Sequence, residues 1–355
     1  MSKNFSVFVC GGAVVDCIVK PFDEGQRGAS RTSLPGTARI ALGGVGRNIA
    51  EVIARFGGKV ELLSAVGKDE SGHAVLQGCR ELGIQTDLVT SIASCRTATY
   101  TALLDGTGEL VGAIADMAIF DEISCPSVDF ATPSFSRSVL AICDANLPAA
   151  TLERLARLGA EARVPVWFEP VSVAKAVKGA RPPHPWHLIS PNWDELLALL
   201  GRPPEALPES GMEIPLQVLR TLAAAREAGL AEYILLTLGP LGALLAVPQL
   251  PTSPTLNCTQ TFDMPNALQC AAGDIPPLEL RIDALSIDGS QALWFHRQSA
   301  LTSVRDVTGA GDALLAGTAR AFADGWSLPE AVTMGMFCAH VTIFVEGAVA
   351  RCLNS

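Results

Sequence analysis

Short β-rich runs alternate along this chain with helical segments, and that alternation restricts the possible folds more than any other feature. FSVFVC opens the series. A helix starting near Asn48, VELLSAVG, a helix across 73–82, VLAIC, a helix across 150–158, VPVWF, HLIS, a helix across 193–200 and YILLTL follow. Strands joined through helices run parallel, with helices covering both sheet faces, so the pattern predicts an α/β fold built on a mostly parallel sheet. Residues 97–117, TATYTALLDGTGELVGAIADM, break the rhythm. Two strand-like runs meet there across Asp105-Gly106-Thr107-Gly108 and read as a β-hairpin.

No linker-like stretch divides the 355 residues, which predicts one large domain over 1–355. A hydrophobic content of 49% supplies core, and a net charge of −10 argues against nucleic acid or an anionic membrane as partner. Any phosphate site must then be local. Ten cysteines include no Cys-x-x-Cys pair, and Cys10 and Cys143 lie inside apolar runs, as buried thiols of a reducing compartment do. His184 and His187 form an isolated His-x-x-His among prolines, read as surface-loop histidines and not as a zinc site. The apolar stretches 230–250 and 330–350 are interrupted by charges or by Gly and Pro, and the N-terminus lacks a signal-peptide pattern, so a cytoplasmic enzyme is expected. Residues 248–291, rich in Pro, Ser, Thr and Asn, read as an inserted surface loop.

The chemistry concentrates at DVTGAGDALLAGTARAFADG, residues 306–325. Gly309 and Gly311 permit a tight turn, so that N–H groups opening the next helix converge on an anion. Asp312 falls in the first helical turn, where a carboxylate can take a proton from an attacking hydroxyl. Taken alone, the segment reads equally as an Asp-capped core helix. A second glycine cluster, ALGGVGRNIAEVIARFG at 41–57, opens another helix, and SPNWDEL at 190–196 and LLTLGPLGALL at 235–245 lie between the two. A P-loop sequence is absent, and Gly44-Val45-Gly46 followed by Ile49 misses the third small residue of a dinucleotide fingerprint.

These motifs, in this order, resemble the signatures of the ribokinase-like (phosphofructokinase-B) family of carbohydrate and nucleoside kinases, over roughly residues 5–350. The resemblance implies a three-layer α/β/α sandwich with a small β-sheet lid from about 13–42 and 95–118, closing over the sugar and joining a homodimer. It implies Asp312 as catalytic base, with Gly309, Ala310 and Gly311 as a backbone anion hole. Asp16, Gly43, Gly44 and Asn48 match sugar-binding positions, although on the residues alone Asp16 reads also as a turn residue and Asn48 as a helix cap. Asn192 and Glu195 match a pair that organises Mg²⁺ and phosphate, Glu195 through water; a plain capping arrangement is the alternative. ATP is the implied cofactor, with Thr237, Gly239 and Gly242 beside its phosphates and ribose and Cys338, with Met336 and Ala339, near adenine. Asp306 and Thr308, with backbone carbonyls around Thr342, Val345 and Gly347, match a site for a monovalent cation, K⁺.

Within the family, GGVGRNIAE, RTATYTALLD, GELVGAIADM, CDANLP and WFEPVSVAK look like strings of the pseudouridine kinases. The implied reaction transfers the γ-phosphoryl group of ATP to the ribose 5′-hydroxyl of pseudouridine. Asp144 or Asn146 would hold ribose or base, and Thr99, Tyr100 and Asp116 of the lid would face the base. Arg47 stands where ribokinases commonly have a small residue; it reads as part of a polar substrate environment or as a helix-surface charge. Ribokinase or another nucleoside kinase is the alternative activity. A catalytically silent nucleoside-binding homologue is the alternative of a different class, against which the intact Gly309-to-Asp312 and Asn192-to-Glu195 motifs count.

Overall fold

The computed structural model describes residues 6–22, 33–207, 213–251, 258–262, 275–287, 290–298, 304–345, 347–350 and 353. In chain order the elements are β1 (Ser6–Cys10), β2 (Val14–Pro21), β3 (Gly36–Gly43), α1 (Val45–Arg55), β4 (Lys59–Gly67), α2 (Glu70–Glu81), β5 (Val89–Ile92), β6 (Thr99–Leu104), β7 (Leu110–Asp116), α3 (Cys125–Arg137), β8 (Leu140–Asp144) and α4 (Ala149–Ala162). They continue with β9 (Val166–Glu169), α5 (Val173–Ala176), β10 (Trp186–Ile189), α6 (Trp193–Leu199), α7 (Leu216–Glu227), β11 (Ala231–Thr237), β12 (Ala243–Val247), β13 (Cys258–Phe262), β14 (Leu278–Ile287), β15 (Ser290–Arg297), α8 (Ala310–Ala323) and α9 (Leu328–Thr342).

Among the described residues, eleven strands form one sheet in the order β13-β14-β15-β12-β11-β10-β9-β8-β1-β4-β5. From β11 to β5 every neighbouring pair is parallel, as the alternating sequence requires. β12 to β15 extend the other edge antiparallel. Side chains of a strand alternate between faces, and β1 displays the consequence. Phe8 and Cys10 join the core beneath α3, α4, α6 and α7, whereas Val7 and Val9 join the core beneath α1, α8 and α9. Both faces are covered, so LAICD of β8 is buried throughout. No helix among the described residues is long and apolar enough to cross a membrane.

A separate four-stranded sheet, β3-β2-β6-β7, holds the expected hairpin and the strands that follow β1. Its register sets Asp16, Ala41, Tyr100 and Ala115 on one face and Cys17, Ile40, Thr101 and Ile114 on the other.

Two expectations need correction. The interval 248–291 is not a loop throughout, because β13, β14 and the start of β15 lie in it and form the antiparallel edge of the sheet. Leu278, Leu280 and Ile282 of LELRIDALSI alternate inward, a period of two that the surrounding Pro- and Ser-rich composition obscures; residues 252–257 and 263–274 lie outside the description. His187 is not a surface-loop residue either, because it lies in β10 and is half-buried. Its Nδ1 accepts a hydrogen bond from Trp167 Nε1 at 2.9 Å, and burial lowers its pKa.

Candidate active site

Parallel α/β sheets gather ligands at the carboxyl ends of their strands, and the polar side chains of this chain converge there. β1 runs into Gly11-Gly12, β8 ends at Asp144, β9 ends at Glu169, Ser190 follows β10 and Thr237 closes β11.

Asp144 anchors the arrangement. Its Oδ2 accepts from the backbone N–H groups of Gly12 and Gly46, each at 2.8 Å, and its Oδ1 accepts from Asn146 N at 2.9 Å. A Cβ on Gly11 would stand 2.3 Å from Asp144 Oδ2, and one on Gly46 would stand 2.7 Å from Gly11 Cα, so only glycine allows the two loops to close on the carboxylate. Burial raises the Asp144 pKa, opposed by the three backbone donors. Asp144 therefore scaffolds the glycine loops, whereas the resemblance implies that Asp144 or Asn146 holds ribose or base. Asn146 instead meets Lys175, whose Nζ donates to Asn146 Oδ1 at 2.6 Å.

Helices α1 and α8 both start at glycines with positive φ, Gly44 at 94° and Gly309 at 75°. A Cβ on Gly309 would lie 2.0 Å from the Ala348 carbonyl oxygen. Gly309 caps α8 without a side-chain acceptor, and although the Ala310 N–H donates to the Val307 carbonyl at 3.2 Å, the N–H groups that follow it in the first turn stay open to an anion. Around Gly311 nothing stands within 4 Å of a would-be Cβ. Asp312, in that same turn, accepts from Asn48 Nδ2 at 2.9 Å.

Burial pushes the Asp312 carboxyl up to about 7, and the charges of Asp144, Asp16 and Glu195 add to the shift while the Asn48 bond opposes it. Burial likewise pushes Asp16 up to about 6, against the pull of the Arg47 guanidinium. A Cβ on Gly43 would stand 2.0 Å from Asp16 Oδ2, so that glycine makes room for the carboxylate. Asp16, Gly43, Asn48 and Asp312 are thus brought together. A carboxylate poised near neutral pH beside open N–H groups can accept a hydroxyl proton while the helix N-terminus holds an anion.

A cavity of about 370 Å³ adjoins Ala310 and Gly311 and is lined also by Thr237, Gly239 and Gly242. Met336 and Ala339 form part of its wall. Cys338 does not, because the spacing that puts 336 and 339 on one face of α9 turns 338 inward: a Cβ on Gly317 of α8 would meet its Sγ at 2.5 Å.

Asn192 and Glu195 form a reciprocal capping box at the start of α6, each side chain bonded to the other's backbone N–H at 2.9 Å. The Glu195 bond uses Oε2. Burial raises the Glu195 pKa. Glu169, which no local motif marks within WFEPVS, accepts from Ser190 Oγ and is driven well above the ordinary carboxyl range by burial, with Glu195 and Asp312 adding.

Arg47 is neither a surface charge nor an open substrate contact. It is buried, pairs with Glu51, and donates to the Leu42 carbonyl of β3 at 3.0 Å, tying the small sheet to α1. Tyr100 shares the sheet face of Asp16, whereas Thr99 and Asp116 pair with each other on the opposite face. The three do not present one surface.

Asp306, Thr308 and Gly347 do come together. Asp306 Oδ1 accepts from Thr308 N at 2.8 Å and Oδ2 from Gly347 N at 3.4 Å, while Asp306 N reaches the Ile343 carbonyl at 3.4 Å. The Thr342 hydroxyl donates to the Cys338 carbonyl at 2.9 Å, and its backbone oxygen accepts from Val345 N at 3.2 Å.

The chain matches the pfkB family carbohydrate kinases over residues 5–260 and 285–354. It is 29% identical over 314 residues to a pseudouridine kinase of Escherichia coli, covering 88% of this chain and 83% of that protein. With a pseudouridine kinase of Arabidopsis thaliana it shares 27% over 350 residues, covering 94% and 89%. Its fold matches the structure of Arabidopsis thaliana ribokinase complexed with ribose and ATP with a TM-score of 0.70, at 20% identity, over 98% of this chain and 95% of that one. The convergence of strand ends on two glycine-led helices and the match over most of the sequence lead to one assignment: the chain belongs to the pfkB family of carbohydrate kinases.

Proposed function

We propose that this chain is a pseudouridine kinase, transferring the γ-phosphoryl group of ATP to the ribose 5′-hydroxyl. The observation that carries the reading is Asp312, a carboxylate pushed to about 7 at the open N-terminus of α8. The similarity to two pseudouridine kinases over most of their length supports the choice of acceptor.

In this reading Asp16, Gly43, Gly44 and Asn48 hold the ribose, and Asp312 takes the proton of the 5′-hydroxyl as its oxygen bonds to the γ-phosphorus. The bond from that phosphorus to the β-phosphate oxygen breaks, and ADP leaves. The N–H groups of Gly309 and Gly311, with that of Ala310 once it leaves the Val307 carbonyl, receive the charge spread over the phosphoryl oxygens. Thr237, Gly239 and Gly242 flank the donor phosphates and ribose, and Tyr100 approaches the nucleoside from the lid.

The residues fit Mg²⁺ held mainly by phosphate and water. Among the described residues no group of three or more His, Cys, Asp or Glu gathers for a metal, and the Glu195 capping bond occupies only one oxygen. Bound with the triphosphate, Mg²⁺ would neutralise phosphate charge. The oxygen donors around Asp306 and Gly347 fit K⁺, which would stiffen the loop that supports Gly309.

The same reading makes the chain one cytoplasmic kinase unit that pairs through its lid. Ile40 and Ile114 on the lid face opposite Asp16 are 72% and 74% exposed, an apolar surface that suits a second copy. A sedimentation measurement returning a monomer at micromolar concentration would remove the dimer.

The deciding experiment is ADP release with pseudouridine, uridine, adenosine, fructose and ribose as acceptors. Pseudouridine carries a ring N–H that uridine lacks, and a site bonded to it leaves an acceptor unpaired with uridine, a penalty of about 5- to 150-fold in kcat/KM. Equal use of uridine, or preference for ribose, moves the assignment to another nucleoside kinase or a ribokinase. No turnover with any acceptor points to the silent homologue.

A further inference from the structure

The cavity beside α8 contains an arginine that nothing in phosphoryl transfer requires. Arg297, the last residue of β15, lines the cavity together with His340 of α9. Its Nη1 is bonded to His340 Nδ1, and its Nε is buried with no partner. His340 Nε2 is held by the Pro276 carbonyl at 2.7 Å, which makes Nε2 the donor and Nδ1 the acceptor toward Arg297. Burial brings the His340 pKa down to about 4, with Arg297 adding to the shift, so the ring is neutral at physiological pH. Arg297 is therefore a half-buried guanidinium whose bonded partner is a neutral ring, with no carboxylate among the described residues paired to it. Such a group is costly unless a ligand supplies acceptors.

The rest of the cavity narrows the choice of ligand. Its phosphate end lies at Ala310 and Gly311, and Leu278, Leu314, Met336 and Ile343 give it apolar walls that suit a flat base. Val304 and Val307, also lining it, are 41% and 70% exposed, apolar surface awaiting cover. A purine lodged there with its major-groove edge toward Arg297 offers N7 as an acceptor. Guanine and hypoxanthine add O6 beside N7, two acceptors that one guanidinium engages together, whereas adenine sets an N6 donor at that place.

We propose that Arg297 reads the purine base of the phosphate donor and lets this site take 6-oxopurine nucleotides as well as ATP. The inference rests on the cavity being the donor site.

The test measures calorimetric binding of ADP, GDP and IDP to the full chain and to Arg297→Met and Arg297→Lys, with thermal unfolding run alongside. IDP carries O6 without the 2-amino group and so isolates the edge in question. The expected result is GDP and IDP binding to the unaltered chain at least as tightly as ADP. Both variants should then weaken GDP and IDP by about 5- to 150-fold more than ADP. The lysine keeps the charge and loses the fork, so a folded Arg297→Lys chain decides the matter if the methionine variant is unstable. GDP and IDP binding far more weakly than ADP, or all three falling equally in the variants, overturns the base-reading role. Failure of all three diphosphates to bind the unaltered chain overturns the donor-site reading, and this proposal with it.

Discussion

Asn48 Nδ2 lies 2.9 Å from Asp312 Oδ2, a bond between side chains 264 positions apart. It joins the helix opened by one glycine cluster to the helix opened by the other, and its donor favours the ionised carboxylate. Burial and the neighbouring Asp144, Asp16 and Glu195 favour the protonated one. Asn48 therefore holds down a pKa that burial raises, beyond any contact it makes with a sugar.

Asn48→Ala should accordingly move the acidic limb of the kcat/KM profile to higher pH. A base works ionised, so the profile of the unaltered chain should rise through about 7, the pKa of Asp312. Losing a hydrogen bond to a charged group shifts the limb upward by about one unit. An unmoved limb with a raised KM would confine Asn48 to substrate binding.

Asp312→Asn should lower turnover by about 10²–10⁴-fold, the share of a general base, while stabilising the fold at alkaline pH. Because the folded pKa of about 7 exceeds the ordinary 3.8, the protonated group's contribution is complete below 3.8 and is lost as pH rises through about 7. The amide escapes that loss, so the Tm of the variant should exceed that of the parent at pH 8, with the gap closing toward pH 4. Thermal scans across this range check the sign.

Much of this arrangement was legible because it is written in local periods. Alternating strand and helix patterns gave the sheet, and Gly309-Ala310-Gly311-Asp312 marked the open helix start. What escaped notice depends on contacts distant in sequence. Asp144 Oδ2 accepts from Gly12 and Gly46, 132 and 98 positions away, and no local pattern announces a carboxylate committed to distant backbone donors. Arg47 looks like a surface charge on α1 until β3 lays the Leu42 carbonyl against it. The inward alternation of β14 was masked by composition, which reports average polarity and not its period.

Glu51→Gln tests the support beneath the small sheet. Glu51 meets both Arg47 and Arg55 in a nearly dry setting, with its side chain 6% exposed. The substitution leaves the buried Arg47 guanidinium without its anion, which costs about 3–5 kcal/mol. A urea titration should show a lower midpoint with an unchanged slope. A midpoint within error of the parent would mean that Arg47 finds compensation elsewhere.

The anion hole can be tested by two alanines that ought to behave in opposite ways. Gly309→Ala forces a side chain into a backbone at φ 75° and sets its Cβ 2.0 Å from the Ala348 oxygen, so folding itself should suffer. Gly311 has no positive φ, and nothing lies within 4 Å of its would-be Cβ. Alanine there should raise stability by about 0.4–1 kcal/mol, since it restricts the unfolded chain inside a helical turn. The new methyl would nevertheless occupy the space in front of the N–H groups of α8, and displacing a phosphoryl oxygen from such donors should cut kcat by about 10²-fold. Denaturation and turnover measured on the same Gly311→Ala preparation separate the two effects. A more stable chain with full activity would show that phosphate does not enter at this turn.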